Sequence, residues 1–232
     1  MRLLTAALCA ALASGAAAQE PSLIGSVVRS NKWDIKRGAH KVEEFTGDVQ
    51  YRREGRRLRA DWALYDHDQR RIDARGAIRA EERLEDGTLA SAEGERSSHD
   101  RRDGTGWLVG RGSDDPVRIH LLKPAGGEQG RGRARKLAWD LPRREARLEG
   151  DAWFREERGE IRAEVARFYH AQKKLELGGR RPTLSARGPD WAAAVQADQL
   201  TGLALDGARR RVTGKGRAHG WIHFPNKGGI RP

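Results

Sequence analysis

Alternation of small or apolar residues with charged residues is the feature of this sequence that most limits its fold. From Val212 to Phe224 the even positions are small or apolar, and nearly all odd positions are polar or charged. The same period of two runs from Leu148 to Phe154, from Ile72 to Ala80 and from Val117 to Leu121. Because successive side chains of a strand point to opposite faces, this pattern predicts short strands with one wetted face.

Turn dipeptides separate these runs at short intervals, among them Asp86-Gly87, Asp103-Gly104 and Asp206-Gly207. Turns of this chemistry join antiparallel strands. The sequence therefore predicts an all-β protein of many short antiparallel strands. Two segments, Glu157 to Leu177 and Val195 to Leu205, are ambiguous, and the first also fits an amphipathic helix.

The first residues have the pattern of a secretory signal peptide. Arg2 precedes an apolar stretch from Leu3 to Ala13, and Ala16-Ala17-Ala18 forms an Ala-x-Ala cleavage motif. We expect residues 1–18 to be removed near Ala18 and the protein to be periplasmic, an uncleaved anchor being the alternative. The single cysteine, Cys9, lies in this leader, so the remaining chain has no disulfide and no thiolate metal site.

The composition indicates an anionic partner and no catalytic chemistry. Lys and Arg number 45 against 33 Asp and Glu, a formal net charge of +12. Such a protein attracts anions, and outside the cytoplasm these are lipids and membrane surfaces rather than nucleic acids. We find no nucleotide-binding loop and no nucleophile elbow, and His219 and His223 lack a third metal ligand. We predict a binding protein, not an enzyme, with no cofactor and no metal.

The chain also repeats a loose pattern. One copy begins Phe45-Thr46-Gly47-Asp48-Val49, continues through Ala60-Asp61 and Tyr65-Asp66, and closes on Ile72 to Gly76. A second copy extends from Leu148 to Gly178, and a weaker third follows Trp191. Internal repeats of this length indicate an array of similar supersecondary units.

This repeated sequence pattern resembles the OstA-like repeat of the LptA family of periplasmic lipopolysaccharide-transport proteins. The resemblance implies a twisted, open β-jellyroll with an apolar groove that holds the acyl chains of lipopolysaccharide (lipid A). It also implies end-to-end stacking of edge strands, as a homo-oligomer and with inner- and outer-membrane transport proteins. On this basis we expect a bridge subunit that delivers lipopolysaccharide to the outer membrane, with edges near Ile24 to Val28 and Gly216 to Phe224.

The predicted organisation has two OstA-like halves, residues 19–123 and 135–224, joined by a Gly- and Arg-rich loop at 124–134 and followed by a tail at 225–232. Apolar residues predicted to face the groove are Val49, Tyr51, Ile72, Ile78, Val109, Leu148, Phe154, Ile161, Ile222 and Phe224. Basic residues predicted to meet anionic headgroups are Arg52, Arg53, Arg56, Arg57, Arg143, Arg144, Arg180, Arg181, Arg209, Arg210 and Arg211. A closed sandwich core and solvated turn charges are the alternative interpretations of these two sets.

Two other functions stay open at this stage. The chain could be a structural or adhesive β-repeat protein of the envelope without a lipid groove. It could also bind an anionic polysaccharide through an exposed aromatic cleft, for which Trp33, Trp62, Trp139 and Trp191 are candidates.

Overall fold

The computed structural model describes residues 27–38, 41–53, 55–84, 86–204 and 210–224. These residues form eighteen strands and no helix. The predicted signal peptide, the tail at 225–232 and Arg209 lie outside the described residues.

The strands are β1 (Val27–Arg29), β2 (Lys32–Arg37), β3 (Lys41–Arg53), β4 (Arg56–Asp66), β5 (Arg71–Arg83), β6 (Leu89–Asp100), β7 (Thr105–Val109), β8 (Val117–Leu122), β9 (Glu128–Ala134), β10 (Lys136–Asp140), β11 (Glu145–Glu156), β12 (Gly159–Tyr169), β13 (Lys174–Gly178), β14 (Thr183–Arg187), β15 (Ala192–Gln196), β16 (Gln199–Ala204), β17 (Arg210–Lys215) and β18 (His219–His223).

The strand pairings of the described residues are antiparallel, and they form two sheets that share six long strands. Strands β3 to β6, β11 and β12 each contribute one end to either sheet. Sheet I runs in the order β1, β3, β4, β5, β6, β8, β9, β11, β12, β14, β15 and β18. Sheet II runs in the order β2, β3, β4, β5, β6, β7, β10, β11, β12, β13, β16 and β17. The prediction of an all-β jellyroll is confirmed.

The repeated glycines bend the long strands from one sheet into the other, along a line that we call the corner. In β5 the register shifts between Arg75 and Ile78, and Gly76 and Ala77 have φ values of 78° and 43°. A side chain at Gly76 would collide with the carboxylate of Asp61 from β4. Left-handed backbone and this close approach both require glycine, and a two-residue bulge of this kind bends a strand.

The same corner recurs along the ladder. Gly47 with Asp48 and Gly150 with Asp151 also have positive φ. Gly47 packs against Asn31, and Gly216 against Asp198. We call the strand ends that lie opposite the corner the rim of each sheet.

The core lies between the two sheets and contains the alternate side chains predicted from the sequence. In β11 the residues Ala146, Leu148, Ala152 and Phe154 are all at most 1% exposed, whereas Arg155 is exposed. Contacts cross from sheet to sheet: an added Cβ at Gly202 of sheet II would lie 4.0 Å from Leu184 of sheet I. The outer faces carry ion pairs such as Lys36–Glu44 (2.8 Å) and Arg162–Glu160 (2.7 Å).

The predicted loop at 124–134 is wrong for most of its length, because Glu128–Ala134 is strand β9 and only the residues up to Gly127 form a turn. Its glycines have a packing role. A side chain at Gly132 would approach within 2.5 Å of the ring of Phe154 on the neighbouring strand. The ambiguous segment Glu157 to Leu177 contains β12 and β13, whose buried residues alternate as in the other strands.

Candidate functional site

Inward side chains of sheet I form rows that cross its strands. Cross-strand pairing places Tyr51 beside Leu58, then Ala80, Ala92 and Ile119. The row continues through Gly132, Phe154, Ile161, Leu184, Val195 and Gly220. Because every member is apolar or glycine, the sheet I side of the interior is apolar along the whole row.

Sheet II faces it with a row of mixed character, which we call the facing row. As far as β10 the facing row contains Glu43, Tyr65, Ile72, His99 and Trp139, all partly buried. From β11 it continues with Ala146, Phe168 and Leu175, at 0%, 0% and 4% exposure. The facing row thus has a polar stretch followed by an apolar stretch.

Hydrogen bonds hold the polar stretch in place. His67 Nε2 lies 2.7 Å from Glu43 Oε1, and its ring packs 4.4 Å from that of Tyr65. Arg101 donates a hydrogen bond to Tyr65 Oη at 3.1 Å. His99 Nδ1 lies 3.0 Å from the carbonyl oxygen of Thr105. Burial lowers the pKa of His99, with Arg101 and Arg56 adding to the effect, so its ring is neutral near pH 7.

Glu156 is a buried polar residue on β11, the strand at which the apolar stretch of the facing row begins. It has the same orientation as Phe154 and ends β11 at the rim of sheet I. Its side chain is 8% exposed, and burial raises its pKa to about 7. Glu156 was not among the predicted site residues, although its even position, shared with Ala152 and Phe154, indicates the inner face.

The structure brings most of the predicted groove residues onto the inner faces. Val49, Tyr51, Ile78, Phe154, Ile161 and Ile222 face inward from sheet I, and Ile72 and Leu148 from sheet II. Val109 pairs with Arg96 and Lys136 on the outer face, while its neighbour Leu108 is buried. Ile222 and Phe224, at 66% and 52% exposure, lie at the C-terminal end of the ladder.

The predicted basic residues separate into three locations. Arg52, Arg53, Arg56 and Arg57 flank the β3–β4 turn at the rim of sheet I, and Arg56 pairs with Glu82 at 2.9 Å. Arg143 and Arg144 form the β10–β11 turn at the rim of sheet II, and Arg210 and Arg211 begin β17 at the same rim. Arg180 and Arg181 lie between β13 and β14 at the corner, away from both rims.

Both ends of the ladder expose apolar side chains next to edge strands. Large exposed hydrophobic residues at the N-terminal end are Val27, Trp33 and Ile35, on β1 and β2. Those at the C-terminal end are Trp191, Val212, Trp221, Ile222 and Phe224, on or beside β15, β17 and β18. The described part of the ladder has no other exposed hydrophobic residues of this size. Apolar patches confined to open edges indicate interaction surfaces.

Within the described ranges, no group of His, Cys, Asp or Glu side chains has a metal-binding arrangement. The same residues contain no helix that is long and apolar enough to cross a membrane.

One family model matches this chain. The family model described as LptA/(LptD N-terminal domain) LPS transport protein matches residues 27–174, more than half of the chain. A solved structure with similarity is LptH, the LptA homologous periplasmic component of the lipopolysaccharide transport device from Pseudomonas aeruginosa. It covers 82% of this chain and 94% of its own length, at 11% identity and a TM-score of 0.33. No curated protein matches the chain.

Proposed function

Because the chain belongs to the family of LptA and the LptD N-terminal domain, we propose that it binds lipopolysaccharide between its two sheets and carries it across the periplasm. The observation that supports this most is the continuous inward row of apolar side chains on sheet I. Each buried methylene contributes about 0.8 kcal/mol, so several acyl chains provide ample affinity without any catalytic group. The protein is then a non-enzymatic carrier whose directional transfer depends on other proteins.

The two rims suit the headgroup of such a lipid. Arginines flank the turn at the rim of sheet I and form the β10–β11 turn of sheet II. A phosphorylated sugar held at the rims would meet guanidinium groups while its acyl chains enter the interior. We assign the headgroup role to Arg52, Arg53, Arg57, Arg143 and Arg144, with Arg56 shared between Glu82 and the lipid.

The open edges support the bridge role. Each sheet contains twelve strand segments that alternate in direction, so its first and last segments run in opposite directions. A second copy stacked in the same orientation would place its β1 antiparallel to β18 and its β2 antiparallel to β17. Backbone pairing of this kind gives affinity, and the exposed apolar residues at both ends would be buried. The same edges would join membrane-anchored partners.

Site-specific photo-crosslinking tests both parts of this proposal. A benzoyl-phenylalanine at Ile72, which faces inward and is partly buried, is expected to form an adduct with lipopolysaccharide. The same group at Asp73, the next residue and on the outer face, is the matched control and should give no such adduct. At Ile222 the reagent should instead yield a protein–protein adduct of twice the monomer mass.

Equal lipid adducts at Ile72 and Asp73, or none at Ile72, would contradict the carrier function. Adducts with polysaccharide alone, at outer-face positions, would select the sugar-binding alternative. A protein that forms neither lipid nor sugar adducts but still dimerises at Ile222 would be a structural β-repeat protein.

A further inference from the structure

One carboxylate oxygen on the inner face of sheet I, Glu156 Oε1, has no hydrogen-bond partner among the described residues. Glu156 pairs across the sheet with Gly130 on one side and Gly159 on the other. Its side chain leans over Gly130, where an added Cβ would lie 3.2 Å from Glu156 Cγ and 3.2 Å from Phe154 Cζ. The carboxyl group therefore lies beside the apolar row, two residues along β11 from Phe154 and nearer the rim.

Nearby polar side chains on the inner face have hydrogen-bond partners, in contrast to Glu156 Oε1. Glu82, at the same distance from the corner, accepts a hydrogen bond from Arg56 at 2.9 Å. Buried Thr88 donates to Gln129 Oε1 at 3.2 Å. For Glu156 Oε1, no hydrogen-bond partner exists among the described residues, and the side chain is only 8% exposed.

An unsatisfied buried polar group costs about 1–3 kcal/mol, and native proteins keep very few of them. A sequence that places glutamate here, between two glycines, indicates a partner that is supplied from outside the chain. Since burial raises the pKa of Glu156 to about 7, its carboxyl both donates and accepts hydrogen bonds near neutral pH.

We propose that Glu156 is a binding residue for a hydroxyl group on the acyl chain of the bound lipid. This inference rests on the proposed lipid-binding function. A hydroxyl matches the carboxyl in either protonation state because it also donates and accepts. A phosphate would be repelled by the ionised form, and an unsubstituted chain would leave the carboxyl unsatisfied. The site thus selects hydroxylated acyl chains over plain ones.

Two esters that differ by a single hydroxyl test this selectivity. Methyl tetradecanoate and methyl 3-hydroxytetradecanoate compete with a fluorescent acyl probe for the full-length mature protein. We expect the hydroxylated ester to bind about tenfold more tightly, as one charge-assisted hydrogen bond provides. Glu156→Leu should bind both esters equally, and Glu156→Gln should keep part of the preference. Glu157→Gln, at an exposed neighbouring residue, is the control and should behave as the wild type.

The outcomes separate the two proposals. If wild type binds both esters with equal affinity, the inference fails, as an ordered water would then satisfy Glu156, while lipid binding stands. A preference that persists in Glu156→Leu also overturns it. If neither ester displaces the probe, the proposed function itself fails. Thermal unfolding of Glu156→Leu shows whether the variant is folded, and removal of a buried carboxyl should raise its melting temperature at pH 8.

Discussion

The polar and apolar stretches of the facing row occupy equivalent positions of one sheet and yet have opposite character. Tyr65 and Phe168 lie at corresponding places, each near the end of a long strand that has just passed the corner. Tyr65 is partly buried and hydrogen-bonded to Arg101, whereas Phe168 is fully buried. The ladder accepts either side chain because its backbone pairing sets the fold. The inward side chains then set the chemistry of the interior separately in each half.

The largest expected difference is in stability. Phe168→Ala removes a fully buried ring and should lower the free energy of unfolding by about 3–5 kcal/mol. Tyr65→Ala empties a partly exposed position and should cost less than half as much. Urea unfolding followed by tryptophan fluorescence measures both values. Equal losses would mean that the two stretches are packed alike and that the comparison is mistaken.

A second prediction concerns Glu156, a buried carboxylate on β11, where the apolar stretch of the facing row begins. Its folded pKa of about 7 lies above the ordinary glutamate value of 4.5, so between these pH values the folded state holds a proton that the unfolded state has released. The contribution of Glu156 to stability should be greatest below pH 4.5, fall as the pH rises towards 7, and be smaller by about 3 kcal/mol above it. Glu156→Gln should remove this slope and be the more stable protein at pH 8. A wild-type profile that is flat from pH 5 to 8 would contradict the assignment.

The smallest effect belongs to His99 in the polar stretch, and it has the opposite sign. The folded pKa of His99 is lowered, so its contribution is present above the unfolded value of 6.5 and is lost as the pH falls below it. His99→Phe should flatten this acid limb of the stability profile while losing the hydrogen bond to Thr105. Unfolding curves at pH 5 and pH 7 measure the change, with Glu156→Gln as the background that isolates it. An unchanged acid limb would show that another group titrates there.

How much the sequence predicts depends on where a residue's partner lies. Alternation within a strand is local, so β5, β8, β11 and β18 were predictable from their own residues. The glycine-containing strand β9 was not predictable, because glycine has a low strand propensity. The ring of Phe154, which leaves no room for a side chain at Gly132, lies on another strand. The same limit applies to Val109 and Leu108, where a one-residue change of parity decides which side chain faces inward.

The candidate site divides in the same way. Inward apolar residues follow from alternation, and turn arginines follow from composition. The polar stretch of the facing row required knowledge of which strands pair, because Glu43, Tyr65 and His99 are far apart in sequence and adjacent only across the ladder. Arg180 and Arg181 resemble the other arginine pairs in sequence, yet the structure places them at the corner.

The corner has a consequence for size. Since every long strand crosses it, each added repeat extends both sheets by the same number of segments. The two sheets therefore keep equal lengths. Neighbouring strands are spaced by about 4.8 Å, so the twelve segments of each sheet extend over roughly 50 Å. The number of repeats in the sequence thus determines the length of the protein. A longer chain reaches farther per molecule, and fewer copies are needed to span a given distance.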